Sequence, residues 1–178
     1  VSPIVVPQPD ETTAVDLGLS VKWASFNIGA SSEEEKGLLL GWGDITGLNT
    51  SRDLNYFPSL YPKGDIVNTK YDFVKTSWGD KWRLPSTKET QELIDKCTWT
   101  AVEDENQKVK GYMVTGPNGN HIYLPCTSKR DGNILDENNQ GCYYWTGMLS
   151  SNNSNKASYL SITTDDTKNV STHIDLEN

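Results

Sequence analysis

The chain has 178 residues, enough for one domain with a real hydrophobic core. Lys and Arg number 16 against 24 Asp and Glu, a formal charge of −8. No basic cluster interrupts that acidity, and no apolar run approaches the roughly 20 residues of a membrane helix, so nucleic acid, anionic membrane and a spanning helix are all disfavoured.

Residues 1–13 (VSPIVVPQPDETT) hold three prolines and no amphipathic period, which predicts a stiff, extended, poorly packed tether over residues 1–14. From Val15 the text alternates apolar with small or polar residues (VDLGLSVKWASFNIGA), the pattern of a hairpin. SSEEEKG is a charged connection with room for one helical turn, and LLLGWG after it is strand-like. Residues 44–76 carry Gly, Asn, Pro and Tyr without a period, an excursion of the length that tends to be functional.

The one predicted helix begins in SWGDKWRLPSTKE, residues 77–89. Ser86 is an N-cap, and Glu89 three residues on completes a capping box. Thr90, Leu93, Ile94 and Cys97 fall at i, i+3, i+4 and i+7, a single stripe that must lie on something flat and apolar. Trp82 and Leu84 are expected to pack under this helix and Arg83 to pair with a carboxylate, so the tryptophan-rich corner reads as scaffold.

Strand-like runs follow at 99–102, 109–115 and 120–124, with Asn118-Gly119 as a tight-turn signal. Residues 128–141 are polar and irregular. The strand pattern resumes at 142–147, 157–164 and 170–176. Short strands, one amphipathic helix and long loops make an α+β fold of small antiparallel sheets.

Cys97, Cys126 and Cys142 have neither CxxC nor zinc spacing with the two histidines. A Cys126–Cys142 bridge would close a short loop, while three buried free thiols is the default reading. His121 and His173 lie in strand-like segments with no acid at a suggestive spacing, so structural roles are expected of both, and no nucleophile, base or cofactor set is visible.

In the order DLGLSVKWASFNIGA, GWGD, WGDKWRLPSTKETQELIDKC, GYMVTGPNGNHIYLP and YYWTG, the chain resembles the Fibrobacter-type major paralogous domain of exported Bacteroidetes proteins over residues 15–176. The resemblance implies a C-type lectin-like fold, in the branch of formylglycine-generating enzymes and the variable proteins of diversity-generating retroelements. It also implies export, to the outer-membrane surface as a lipoprotein or into the medium, and a last strand ending like SVRPV that HIDLEN does not reach. Enzymatic activity does not carry over, because the formylglycine-generating relatives use two cysteines about five residues apart and Cys126 and Cys142 do not match. Calcium–sugar binding does not carry over either. Gln8-Pro9-Asp10 lies in the tether, Gly116-Pro117-Asn118 lacks the acid, Trp145-Thr146-Gly147 stands where lectins have Trp-Asn-Asp, and Asp165-Asp166 reads as a solvated turn.

What the resemblance leaves is recognition by loops. Residues 128–141 and 150–156 flank YYWTG and bring Asn133, Asn138, Asn139, Asn152, Asn153 and Asn155 beside Tyr143 and Tyr144, with Trp145 in the core. Amides and tyrosines suit adaptable surfaces, although Asn and Ser equally suit turns. The expectation is a monomeric, metal-free and cofactor-free binding module for a protein or glycan. The alternative is an assembly subunit of a surface appendage, marked by a strand edge open to a donor strand, and a distant third is an enzyme related to formylglycine-generating proteins.

Overall fold

The computed structural model describes residues 4–46, 64–127, 129–131, 134–136, 141–150, 157–162 and 170–172. Within them the fold is α+β, built from small antiparallel sheets and two helices. Strands β1 (Ala14–Val15) and β2 (Trp23–Ala24) form the expected hairpin, only two residues deep. Helix α1 (Phe73–Trp78) precedes helix α2 (Thr87–Lys96). Strands β3 (Thr98–Glu103), β4 (Val109–Thr115) and β5 (His121–Pro125) make a meander, and β6 (Lys129–Asp131) pairs with β7 (Ile134–Asp136). Strands β8 (Cys142–Leu149), β9 (Ala157–Ile162) and β10 (Val170–Thr172) form the last sheet, with β9 central.

Alternation sets the main core. Trp99 and Ala101 of β3 stand opposite Val114 and Tyr112 of β4, which stand opposite Ile122 and Leu124 of β5. All six therefore share one face, and they pack with Leu93 of α2 and with Cys142, Leu160 and Ile162 of the β8–β9 sheet. Helix α2 forms as its sequence dictates: Ser86 Oγ accepts from Glu89 N at 3.1 Å and Glu89 Oε1 accepts from Ser86 N at 2.8 Å. Thr90 and Leu93 are buried, while Ile94 and Cys97 are half-buried at the rim of the same stripe.

Two smaller cores correct the reading of the corner. Trp82 does not pack under α2: it joins Val6, Phe26, Phe73 and Trp78 in a second cluster, its ring 5.0 Å from Trp78 in an edge-to-face contact. Leu84 belongs to a third, with Trp42, Ile66, Ala157 and Trp145. Arg83 does find its carboxylate, gripping Glu89 with both terminal nitrogens at 2.7 and 2.6 Å. That fork holds the Glu89 carboxyl at about 2, well below the usual carboxylate range, with the Ser86 N–H adding to it.

The predicted strand in LLLGWG does not form. Leu38 N reaches Ile28 O at 2.9 Å, but the rest of the segment is clipped to β8 by side chains. Trp42 Nε1 donates to Thr146 O at 2.9 Å, and Trp145 Nε1 donates back to Leu40 O at 2.6 Å. Two crossed indoles replace a backbone ladder.

Of the expected tether, residues 1–3 lie outside the described residues, and residues 4–8 are extended but not loose. Val6 is buried among Phe73 and Trp78, Trp78 Nε1 donates to Pro7 O at 2.9 Å, and Ile4 N donates to Thr46 O at 2.9 Å. Their proline content reports stiffness, and the hydrophobic cleft supplies the packing that a local reading of the sequence lacks. Helix α1, absent from the expectation, is started by Asp72, whose Oδ1 accepts from Val74 N and Lys75 N at 3.1 and 3.3 Å.

Candidate functional site

The β8–β9 sheet has two unlike faces. Cys142, Tyr144, Leu160 and Ile162 point into the main core. Tyr143 and Trp145 on β8 share the other face with Tyr159 and Ser161 on β9, because Tyr143 stands opposite Ser161 and Trp145 opposite Tyr159. The three rings form an edge-to-face row: Tyr143–Tyr159 and Tyr159–Trp145 centroids are each 5.9 Å apart. At one end Trp145 is anchored in the third cluster with Trp42 and Ile66. At the other end Tyr143 is half-buried, its ring lying back over Gly141, where a Cβ would stand 2.6 Å from the phenol oxygen. The row thus runs from rigid core to the rim where β8 begins.

A chain segment is closed at that same rim. Cys126 and Cys142 are joined as a disulfide across a separation of 16 residues, which corrects the default of three free thiols; Cys97 alone is a free cysteine among the described residues. Beside the bridge, Thr127 Oγ1 donates to Tyr143 O at 3.2 Å and accepts from Tyr143 N at 3.4 Å. Both cysteines and Thr127 are buried. The segment leaving β5 and returning to β8 is therefore clasped twice at its base, and it carries the β6–β7 hairpin, so residues 128–141 are not wholly irregular.

The expected contact residues divide. Asn133, Asn138, Asn139, Asn152, Asn153 and Asn155, like His173 and Asp165-Asp166, lie outside the described residues. Tyr143 stands at the rim as described above. Tyr144 is committed to the scaffold: its hydroxyl donates to Pro125 O at 2.5 Å and accepts from Asn27 Nδ2 at 3.2 Å, and burial pushes that phenol strongly up. Its hydroxyl has no capacity left for a ligand except by breaking those bonds. Tyr159 is the ring the sequence reading missed. Its signal is the alternation in ASYLSI, which places it on Trp145's face once β8 and β9 are paired.

His121 is exposed at the start of β5, opposite Thr115. Asp72 is the one fully buried carboxylate among the described residues, and backbone N–H groups of Val74, Lys75, Asn68 and Leu84 fill its acceptor sites. No group of three or more His, Cys, Asp or Glu that could hold a metal occurs among the described residues, and no helix there is long and apolar enough to cross a membrane.

Comparison with protein-family models, with curated proteins and with solved structures gives no match.

Proposed function

We propose that the chain is a non-catalytic binding module of the C-type lectin-like kind, similar to the Fibrobacter-type major paralogous domain, that takes a protein or glycan ligand on the loops bordering β8. The observation that carries this reading is the clasp at the base of residues 127–141. A polar segment is tied to the core by a disulfide and by the Thr127–Tyr143 pair, with a tyrosine row running from its root. Rigid aromatic area beside a segment whose ends are fixed lowers the ordering cost of binding, which is how adaptable polar surfaces reach useful affinity. The disulfide also suits an oxidising compartment, in keeping with export to the cell surface or the medium.

The test is a glycan and protein array probed with the wild-type chain, followed by two variants. Tyr143→Ala and the double change Asn152→Ala, Asn153→Ala should weaken the ligand found. The asparagine pair should do so while shifting stability by no more than about 0.5 kcal/mol, the range of substitutions that remove no packing or buried hydrogen bond. Full binding by both variants would remove this surface from the recognition role.

A further inference from the structure

The second cluster is a filled aromatic cleft. Its walls are Phe26, Phe73, Trp78 and Trp82, with Phe26–Trp78 and Trp78–Trp82 ring centroids 5.6 and 5.0 Å apart. Its filling is the chain's own residues 4–8. Ile4 and Val6 turn inward while Val5, 95% exposed, and Pro7 turn outward, the alternation of an extended ligand. The backbone is read as well: Pro7 O accepts the Trp78 indole N–H at 2.9 Å, Ile4 N donates to Thr46 O at 2.9 Å, and Gln8 Nε2 donates to Ser77 O at 3.1 Å. Residues 4–8 belong to neither of the other two cores.

What returns this segment to its own cleft is a single tight turn. Thr13 N donates to Asp10 O at 3.2 Å, with Glu11 and Thr12 as the two central residues, both exposed. Asp10 Oδ1 secures it by accepting from Thr12 N at 2.7 Å and from Thr12 Oγ1 at 2.6 Å. Beyond the turn, Thr13 is buried and β1 begins, so residues 9–12 are the covalent link from the segment to the body among the described residues. A segment that makes its contacts through side chains and backbone at one place, and its connection through a short exposed turn, has the anatomy of an exchangeable element.

We infer that the Phe26–Phe73–Trp78–Trp82 cleft is a docking site for residues 4–8 of a second copy of this chain, which enter it in place of the chain's own segment when the turn at residues 10–13 opens. The contacts made in exchange are those already made within one chain, so the exchanged and closed forms differ in the turn and in concentration rather than in the interface.

The experiment removes the turn. Deleting Glu11 and Thr12 from the full chain leaves cleft and segment intact but denies the segment its way back. The deletion variant should run by size exclusion with light scattering at twice the monomer mass or more, with the near-ultraviolet tryptophan signal of the wild type. Adding Val6→Asp should return it to monomer. A deletion variant that is folded and monomeric overturns the inference, and so does one whose oligomers persist with Val6→Asp. Should the deletion variant fail to fold, the full chain carrying Val6→Asp alone decides. Mixed with a synthetic peptide spanning residues 4–9, it should show a saturable change in tryptophan fluorescence that the same peptide carrying Val6→Asp does not produce. No change in a folded V6D chain overturns the inference, and so does a V6D chain that unfolds, because the segment would then be an inseparable part of the core.

Discussion

Replacing Asp72 with Ala should cost about 4 kcal/mol, more than its place at the start of a six-residue helix suggests. Its side chain is fully buried and accepts four backbone N–H groups, two per oxygen. Oδ1 takes Val74 and Lys75, the first turn of α1, and loss of such a cap costs about 1–2 kcal/mol. Oδ2 takes Leu84 N at 2.9 Å and Asn68 N at 3.0 Å. Leu84 is half-buried, so its orphaned N–H adds about 1–3 kcal/mol, whereas Asn68 is exposed and water recovers most of its bond, leaving at most about 1. Three chain segments, 68, 72–75 and 84, hang on this one carboxylate. In urea, with a slope of about 2 kcal/mol per molar, the midpoint should fall by about 2 M with the slope unchanged. Asp72→Asn should lose about half as much, because an amide keeps one acceptor for one pair and turns its NH2 toward the other. A fall of less than about 0.5 M for the alanine variant would show that these N–H groups find other partners and that the carboxylate is no hub.

Removing the bridge with Cys126→Ala and Cys142→Ala together should lower stability by about 3 kcal/mol for a 16-residue separation, and dithiothreitol should lower the wild-type melting temperature in the same direction; a reductant-insensitive melt would contradict it. Glu89→Gln should destabilise by on the order of 1 kcal/mol at neutral pH, through the lost fork and the weakened capping box. The Glu89 carboxyl titrates lower in the folded chain than in the unfolded one, so its contribution is complete above about pH 4.5 and is lost as the pH falls toward about 2. The wild-type advantage in a pH series of melts should therefore shrink on acidification, and an advantage that grows would refute the pairing. Gly147→Ala should cost about 1–3 kcal/mol, since a Cβ there would stand 2.4 Å from Val67 Cγ2 and 3.0 Å from Val67 N; a melt equal to wild type would show that the 66–67 segment yields freely.

The sequence was most readable where structure is made locally. Helix α2 follows from Ser86, Glu89 and a 3.6-residue stripe, and the β3–β4–β5 meander follows from alternation around Asn118-Gly119, whose glycine adopts φ +89° at the turn. Helix α1 was illegible because six residues show no period, and only Asp72 marks its start. The apolar run LLLGWG looked like a strand, yet its order comes from indoles meeting carbonyls about a hundred residues away. Pairings between separate elements also hide the packing of Val6, the commitment of the Tyr144 hydroxyl and the neighbourliness of Tyr143 and Tyr159. Within the candidate site, Tyr143 was singled out through the resemblance that YYWTG carries. Its clasp with Thr127 was invisible there, because a threonine sixteen residues upstream carries no signal until two strand ends are brought together.

That clasp has an evolutionary consequence. The cysteines fix where the chain leaves the core and where it re-enters, so the tie to the core holds whatever is written between them. Lengthening such a connection carries a closure penalty that grows only with the logarithm of its length, about 0.6 kcal/mol for each doubling. Thr127 and Tyr143 complete the tie through backbone atoms of Tyr143 and a single hydroxyl, a contact indifferent to everything between them. The tie thus rests on residues 126, 127, 142 and 143, so the spelling of residues 128–140 can drift while the two roots of the stretch stand still.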